Sequence, residues 1–292
     1  MKIAVLLAVV ATLTVAGACM GSESYKVNKV CGDCKFTEGP VWTPWNTLLF
    51  SDIPADRIVE IGKETRVFRS PCGNSNGLTF DHQGRLLACE HSNRRVTRTE
   101  KDGSIVVLAD RYDGKRLNSP NDIVVKSDGT IYFTDPSYGV TKDNKELSFQ
   151  GVYRIKPGGK LELLVKDFEM PNGLCFSPDE KRLYIADSSD IRHIRMFNVL
   201  ADGKLAGGGV FAKITIPGAP DGMKVDTEGR LYVAGPEGVW IFDTTGKHIE
   251  TIPFPETPAN LAWGGSDGKT LYVTARTGVY KVRLPIGGKP PR

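Results

Sequence analysis

Met170-Pro171-Asn172-Gly173-Leu174-Cys175-Phe176-Ser177-Pro178-Asp179-Glu180-Lys181-Arg182-Leu183-Tyr184-Ile185-Ala186-Asp187 reads as a strand, a tight turn and a second strand. A polar residue, Asn172, opens it, and two alternating apolar runs flank a cluster of turn residues. The pattern recurs six times, opening at Glu38, Asn76, Asn121, Asn172, Asp221 and Asn260. The second strand of each copy starts at Leu48, Leu86, Ile131, Leu183, Leu231 or Leu271, 10 or 11 residues after its opener. Successive openers lie 38, 45, 51, 49 and 39 residues apart. A fixed hairpin followed by loops of variable length, repeating every 40–50 residues or so, is the signature of propeller blades. A β-sandwich of ~100 residues has no room for six such units. No helical pattern alternates with the strands, so parallel βαβ units are excluded too. The expected fold is all-β, a six-bladed β-propeller in which the six openers ring the central channel.

Working outward to the N-terminus, Met1-Lys2, the apolar run Ile3 to Ala11 and the small residues Ala16-Gly17-Ala18 describe a secretory signal peptide over residues 1–18. The run is short of the ~20 residues a spanning helix needs, so no stable membrane span is expected. Cleavage after Ala18 leaves Cys19 first, as in a lipid-anchored protein, although Ala16 stands where such signals prefer Leu or Val. The expected location is secreted or periplasmic, with a lipid anchor at Cys19 as a variant. The net charge of +4 and the absence of a long basic run give no pointer to nucleic acid.

The remaining chain, residues 24–287, reads as one domain with blades near 36–70, 73–111, 117–167, 168–214, 216–252 and 253–284. The last holds only three convincing strands, and an open ring would leave raw sheet edges. Ser24–Val30, a short alternating stretch, is therefore expected to close the last blade as its fourth strand. The longest interruption, Tyr138–Gln150, is read as a loop over one channel mouth or as a plain surface loop. Any disulfide is sought among Cys31, Cys34 and Cys72; Cys31-Gly32-Asp33-Cys34 has redox-motif spacing without the βαβ context that usually carries it. Cys89 and Cys175 fall within strands as small hydrophobes.

All six openers offer an oxygen, and two are carboxylates. Oxygen-only ligation with one or two negative charges suits a hard divalent cation, Ca²⁺ first, with Mg²⁺, Mn²⁺ or Zn²⁺ as alternatives. The four histidines form no pair at ligand spacing, so a His-based centre has little support. At a single Asn-Gly, strand capping and turn formation would suffice as an explanation; six in register argue for a shared purpose. The acids ending the second strands, Asp52, Glu90, Asp135 and Asp187, are read as turn or inter-strand groups. Gly264-Gly265-Ser266-Asp267-Gly268 matches the serine-hydrolase pattern but lies in a hairpin turn, not a strand–turn–helix elbow.

From Thr37 to Leu284 the sequence resembles the gluconolactonase, senescence-marker-protein-30 and luciferin-regenerating-enzyme family. The resemblance rests on Glu38-Gly39-Pro40-Val41-Trp42, Asn76-Gly77-Leu78, Cys89-Glu90-His91, Ser119-Pro120-Asn121-Asp122, Thr134-Asp135-Pro136, Pro171-Asn172-Gly173 and Pro220-Asp221-Gly222-Met223. It implies a divalent metal held by Glu38, Asn172 and Asp221, with Asn121 at the metal or on substrate and Asp221 as proton donor and acceptor. Animal sugar lactonases carry a sugar-binding Arg two residues before the Asn that matches Asn121; here that position is Ser119.

The chemistry expected of these residues is hydrolysis of a lactone, most simply a sugar lactone such as gluconolactone. A cation polarises the carbonyl, water attacks, and Asp221 moves the proton. Asn76, His91, Asp122 and Asn260 are expected on the substrate side, with Asp122 as reserve base. The alternatives are a phosphotriesterase-like hydrolase on the same site and a non-catalytic propeller plugged by Ca²⁺.

Overall fold

The computed structural model describes residues 25–289. The signal peptide and Cys19 expected from the sequence lie outside these residues. Six four-stranded antiparallel sheets follow one another along the chain, five of them in sequence order from the axis outward and the last completed by an N-terminal strand. Their innermost strands are Thr37–Trp42, Ser75–Phe80, Ile123–Val125, Pro171–Phe176, Met223–Val225 and Pro258–Gly264. The protein is a six-bladed β-propeller. The other elements among the described residues are one 3₁₀ turn, Ile53–Ala55, and a small hairpin, Arg111–Tyr112 with Lys115–Arg116.

Within a blade the pleat sets the packing. In blade four Leu174, Cys175 and Phe176 pair with Ile185, Tyr184 and Leu183, which commits both strands to a buried position between neighbours. Six apolar clusters result, one at each blade–blade contact. The contact that completes the ring packs Leu48, Phe50 and Val59 of blade one on Ala262 and Val279 of blade six.

Closure comes from the chain's own start. Asn28–Cys31 pairs antiparallel with Gly278–Arg283 as the fourth strand of the last blade. The strand begins later than the expected Ser24–Val30, and there is a physical reason. Val27 donates its N–H back to Tyr25, whose hydroxyl donates to Glu250 at 2.7 Å. Tyr25 and Val27 thus pack on the cluster between blades five and six and leave the ladder to the residues that follow.

The second-strand acids hold the linkers between blades. Asp52 accepts the N–H groups of Lys35 and Phe36, Asp187 those of Glu169 and Met170, and Asp135 that of Asn118. The five cysteines from Cys31 onward are free thiols. Cys72 lies in the cluster between blades one and two, whereas Cys34 lies between blades six and one. Ser266 sits in the hairpin turn between Pro258–Gly264 and Thr270–Ala275. Among the described residues, no helix is long and apolar enough to cross a membrane.

Candidate active site at the axial mouth

Each opener stands where its innermost strand departs from regular pairing. The ladder slips between Glu38 and Val41, between Ser75 and Leu78, between Pro171 and Leu174, and between Pro258 and Asn260. Such bulges re-aim side chains. In blades three and five the opener precedes the strand, and the N–H groups of Asn121 and Asp221 are held by the carbonyls of Thr134 and Ala234. The glycine that follows most openers permits the ring to tighten. A Cβ on Gly39 would lie 1.9 Å from the Asn76 carbonyl oxygen, and one on Gly173 would lie 2.3 Å from that of Asp221. Neighbouring openers therefore approach closely through backbone that no larger residue could occupy.

Glu38, Asn76, Asn121, Asp122, Asn172 and Asn260 are buried, while Asp221 keeps part of its surface at the mouth. Glu38 feels the charge of Asp221, and the Asn172 amide lies near enough to Asp221 to favour its charged form. Burial, and then the Asp221 charge, hold the Glu38 carboxyl well above its ordinary range. Burial, and then the charge of Asp122, push Asp221 up to about 7. Burial raises Asp122 as well. Three carboxyl groups crowded out of water in this way favour a positive partner.

Asn172 Nδ2 lies 3.3 Å from the Tyr138 hydroxyl, and Asn76 Nδ2 lies 3.3 Å from His91 Nε2. Burial pushes His91 down to about 4, so its ring is neutral and accepts from Asn76. The other amide oxygens, Asn76 Oδ1 and Asn172 Oδ1, are sealed from water without a partner, and so is Asp221 Oδ1. Buried oxygens left bare in this way are costly unless something fills the site. Their chemistry, amide and carboxylate oxygen only, fits a hard divalent cation. Among the described residues no three His, Cys, Asp or Glu side chains stand at ligating distance, so such an ion would need the Asn oxygens as well.

Asp122 and Asn260 form a layer below. Asp122 occupies the position that is glycine in four other blades and fills the space beside Gly77. Its oxygens accept the N–H groups of Ile123 and Leu174, and the Asn260 amide of blade six, near it, favours its charged form. Asn260 spends its Oδ1 on the Leu261 N–H, and its amide lies near enough to Glu38 and Asp122 to favour their charged forms. Beneath this layer a cavity of about 640 Å³ opens at the opposite end of the axis, walled in part by Leu78, Ile123, Phe176, Ala262 and Trp263. Its lining also includes Asp179, Glu180, Lys224 and Asp226, but none of the amides that ring the mouth.

A model of the SMP-30/gluconolactonase/LRE-like region matches residues 36–277. The chain belongs to this family. A gluconolactonase of Zymomonas mobilis is 32% identical to it over 91% of this chain and 83% of that protein. The solved structure of a gluconolactonase from Xanthomonas campestris superposes with a TM-score of 0.83, at 34% identity over 89% of this chain and 90% of that one. A calcium-binding regucalcin from Agrobacterium tumefaciens shares the fold, with a TM-score of 0.76 at 22% identity, covering 89% and 94% of the two chains.

Within the family frame, Glu38, Asn172 and Asp221 come near enough to act on one another's charge. Asn121 occupies the equivalent ring position, where its carbonyl accepts the Gly77 N–H. Asn76 and His91 stand together at one side. Asp122 and Asn260 lie one layer in, their oxygens committed to backbone N–H groups. Ser119, at the position of the sugar-binding Arg in animal lactonases, is buried with its hydroxyl unpartnered. Sequence reasoning missed Tyr138 and Ser188 as site residues. Tyr138 arrives on the long insertion, its hydroxyl accepts from the Asn172 amide, and Ser188 lies close by. The length of that insertion was its only signal.

Proposed function

We propose that the protein is a divalent-metal-dependent hydrolase of cyclic esters, acting on a sugar lactone such as gluconolactone. The observation that carries this reading is the set of bare, buried oxygens on Asn172 and Asp221 beside the Glu38 carboxyl. Glu38, Asn121, Asn172 and Asp221 would hold the ion, Ca²⁺ by donor type. When bound, the cation supplies Lewis-acid polarisation of the lactone carbonyl.

The chain's own residues do the rest. Asp221 takes the proton of the attacking water and returns it to the ring oxygen as the ester opens. Asn172 orients Asp221 through its amide. Tyr138, pushed up to about 12 by burial and then by the Asp221 charge, stays protonated and donates to a substrate oxygen. Neutral His91 and Asn76 face the hydroxyls of the sugar. The leader supports export of the mature enzyme.

The test is turnover of a panel of aldonolactones, a phosphotriester and an acyclic ester by chelator-stripped protein, with Ca²⁺, Mg²⁺, Mn²⁺ and Zn²⁺ restored singly. Activity on sugar lactones that vanishes on stripping and returns with one cation supports the reading. A protein that loses thermal stability on stripping, yet never turns over a lactone, is a plugged binding module instead.

A further inference from the structure

The seam where the ring closes carries a pair of thiols that the proposed hydrolysis does not use. Cys31 is the last residue of the closing strand, set opposite Val279. The chain then reverses through Gly32 and Asp33, the latter in the left-handed region at φ 61°. Cys34 is fixed beyond the turn by its N–H, which donates to the Thr277 carbonyl at 3.1 Å. The reversal brings both side chains to one place. The two sulfurs lie 3.7 and 3.6 Å from the same carbonyl oxygen, that of Gly32, to which both thiols donate.

Their surroundings differ. Cys31 is partly open to solvent, whereas Cys34 is 8% exposed and packed into the cluster of Leu48, Phe50, Val59, Ala262 and Val279. The Arg57 guanidinium, held by Asp52, adds positive charge near Cys31. An accessible thiol beside a cation attacks disulfides, and a neighbouring thiol shielded from solvent resolves the adduct.

We propose that Cys31 and Cys34 form a thiol–disulfide exchange site on the ring seam, oxidised to an intrachain disulfide by small-molecule disulfides of the glutathione type. The Cys31 thiolate attacks one sulfur of the reagent, forms a mixed disulfide and expels the first reagent thiolate. Cys34, its proton passing to that departing thiolate, attacks the Cys31 sulfur and expels the second. Two protein thiols are oxidised to one disulfide, and the reagent is reduced to two thiols. The neighbouring Cys34 thiol pushes Cys31 down to about 7, while the proximity of Cys31 and then burial raise Cys34, in keeping with attack at the outer thiol. The loop closed spans only Cys31 to Cys34, so chain entropy makes the bridge a small contributor to global stability. Thiol chemistry is therefore the readout.

The full chain is equilibrated with oxidised glutathione, quenched in acid, denatured, alkylated with iodoacetamide and mapped by mass spectrometry after trypsin. Cleavage at Lys29 and Lys35 isolates Val30–Lys35, which holds this pair and no other cysteine. The expected peptide has lost two hydrogens and carries no alkyl group, while Cys72, Cys89 and Cys175 are labelled. Dithiothreitol restores both labels on Val30–Lys35. Cys34→Ser stalls as a glutathione adduct on Cys31, and Cys31→Ser slows oxidation of Cys34 by about tenfold or more. Two alkylated cysteines in Val30–Lys35 after equilibration would overturn the proposal. So would a persistent glutathione adduct on the native chain, or a bridge from Cys31 to any other cysteine.

Discussion

Asp221 draws its character from neighbours on other blades: Asn172 of blade four, Asp122 of blade three and Glu38 of blade one all act on it. Asp221→Asn keeps the shape and removes a charge from a crowded site. Lactone turnover should fall by about 10²–10⁴, the range for losing a general acid–base group. The thermal midpoint should hold or rise, and a midpoint that collapses would make Asp221 a structural residue. Tyr138→Phe deletes one hydroxyl at the mouth. The expected loss is about tenfold in kcat/KM, or ~1.4 kcal/mol for one hydrogen bond, with circular dichroism unchanged. The openers were legible because one register repeats in every blade, so each copy vouched for the others. Tyr138 was not, because its insertion has no counterpart in the other blades and alignment of the repeats passes over it.

At the scale of the element, the bulge and its glycine set the distance between neighbouring openers. Gly173→Ala places a methyl against the Asp221 carbonyl, and the clash should cost about 1–3 kcal/mol by denaturant unfolding. Lactone turnover should fall as well, since Asn172 and Asp221 are forced apart. A second element-level test concerns the closing blade, where Glu256 accepts from Tyr280, from the Thr277 N–H and hydroxyl, and from Lys29 of the closing strand. Burial opposes its ionisation, yet these donors win and hold the carboxyl down at about 2. A depressed carboxyl stabilises the fold above its unfolded value and loses that contribution as pH falls through the folded one. Wild type should thus melt higher than Glu256→Gln at neutral pH, the two converging between the ordinary carboxylate range and pH ~2. Equal melting curves at neutral pH would remove Glu256 from the seam's stability. The need for a fourth strand was legible from the missing one in the last repeat. Its start was not, because Tyr25 and Val27 alternate like strand residues but find an apolar cleft between two blades.

The whole molecule is six apolar contacts in a circle, and none is dispensable if the circle is to stay shut. Leu48→Ala empties a fully buried position at the junction of blades six and one and should cost about 2–5 kcal/mol. Lactone KM should stay unchanged, because Leu48 lies away from the mouth; a large rise in KM would mean the junction shapes the pocket. The fold was readable from the repeat alone. The layering of the channel was not: Asp122 looked like one more acid beside the ring, and only the structure shows its oxygens spent on the Ile123 and Leu174 N–H groups, one layer in from the mouth.

The seam also sets a timetable for biosynthesis. Asn28–Cys31 leaves the ribosome first among the strands and its partner Gly278–Arg283 last, so the opening strand waits unpaired while about 250 residues are made. A prematurely stopped chain lacks the partner however long it grows, and each unfinished product presents bare sheet edges to its neighbours.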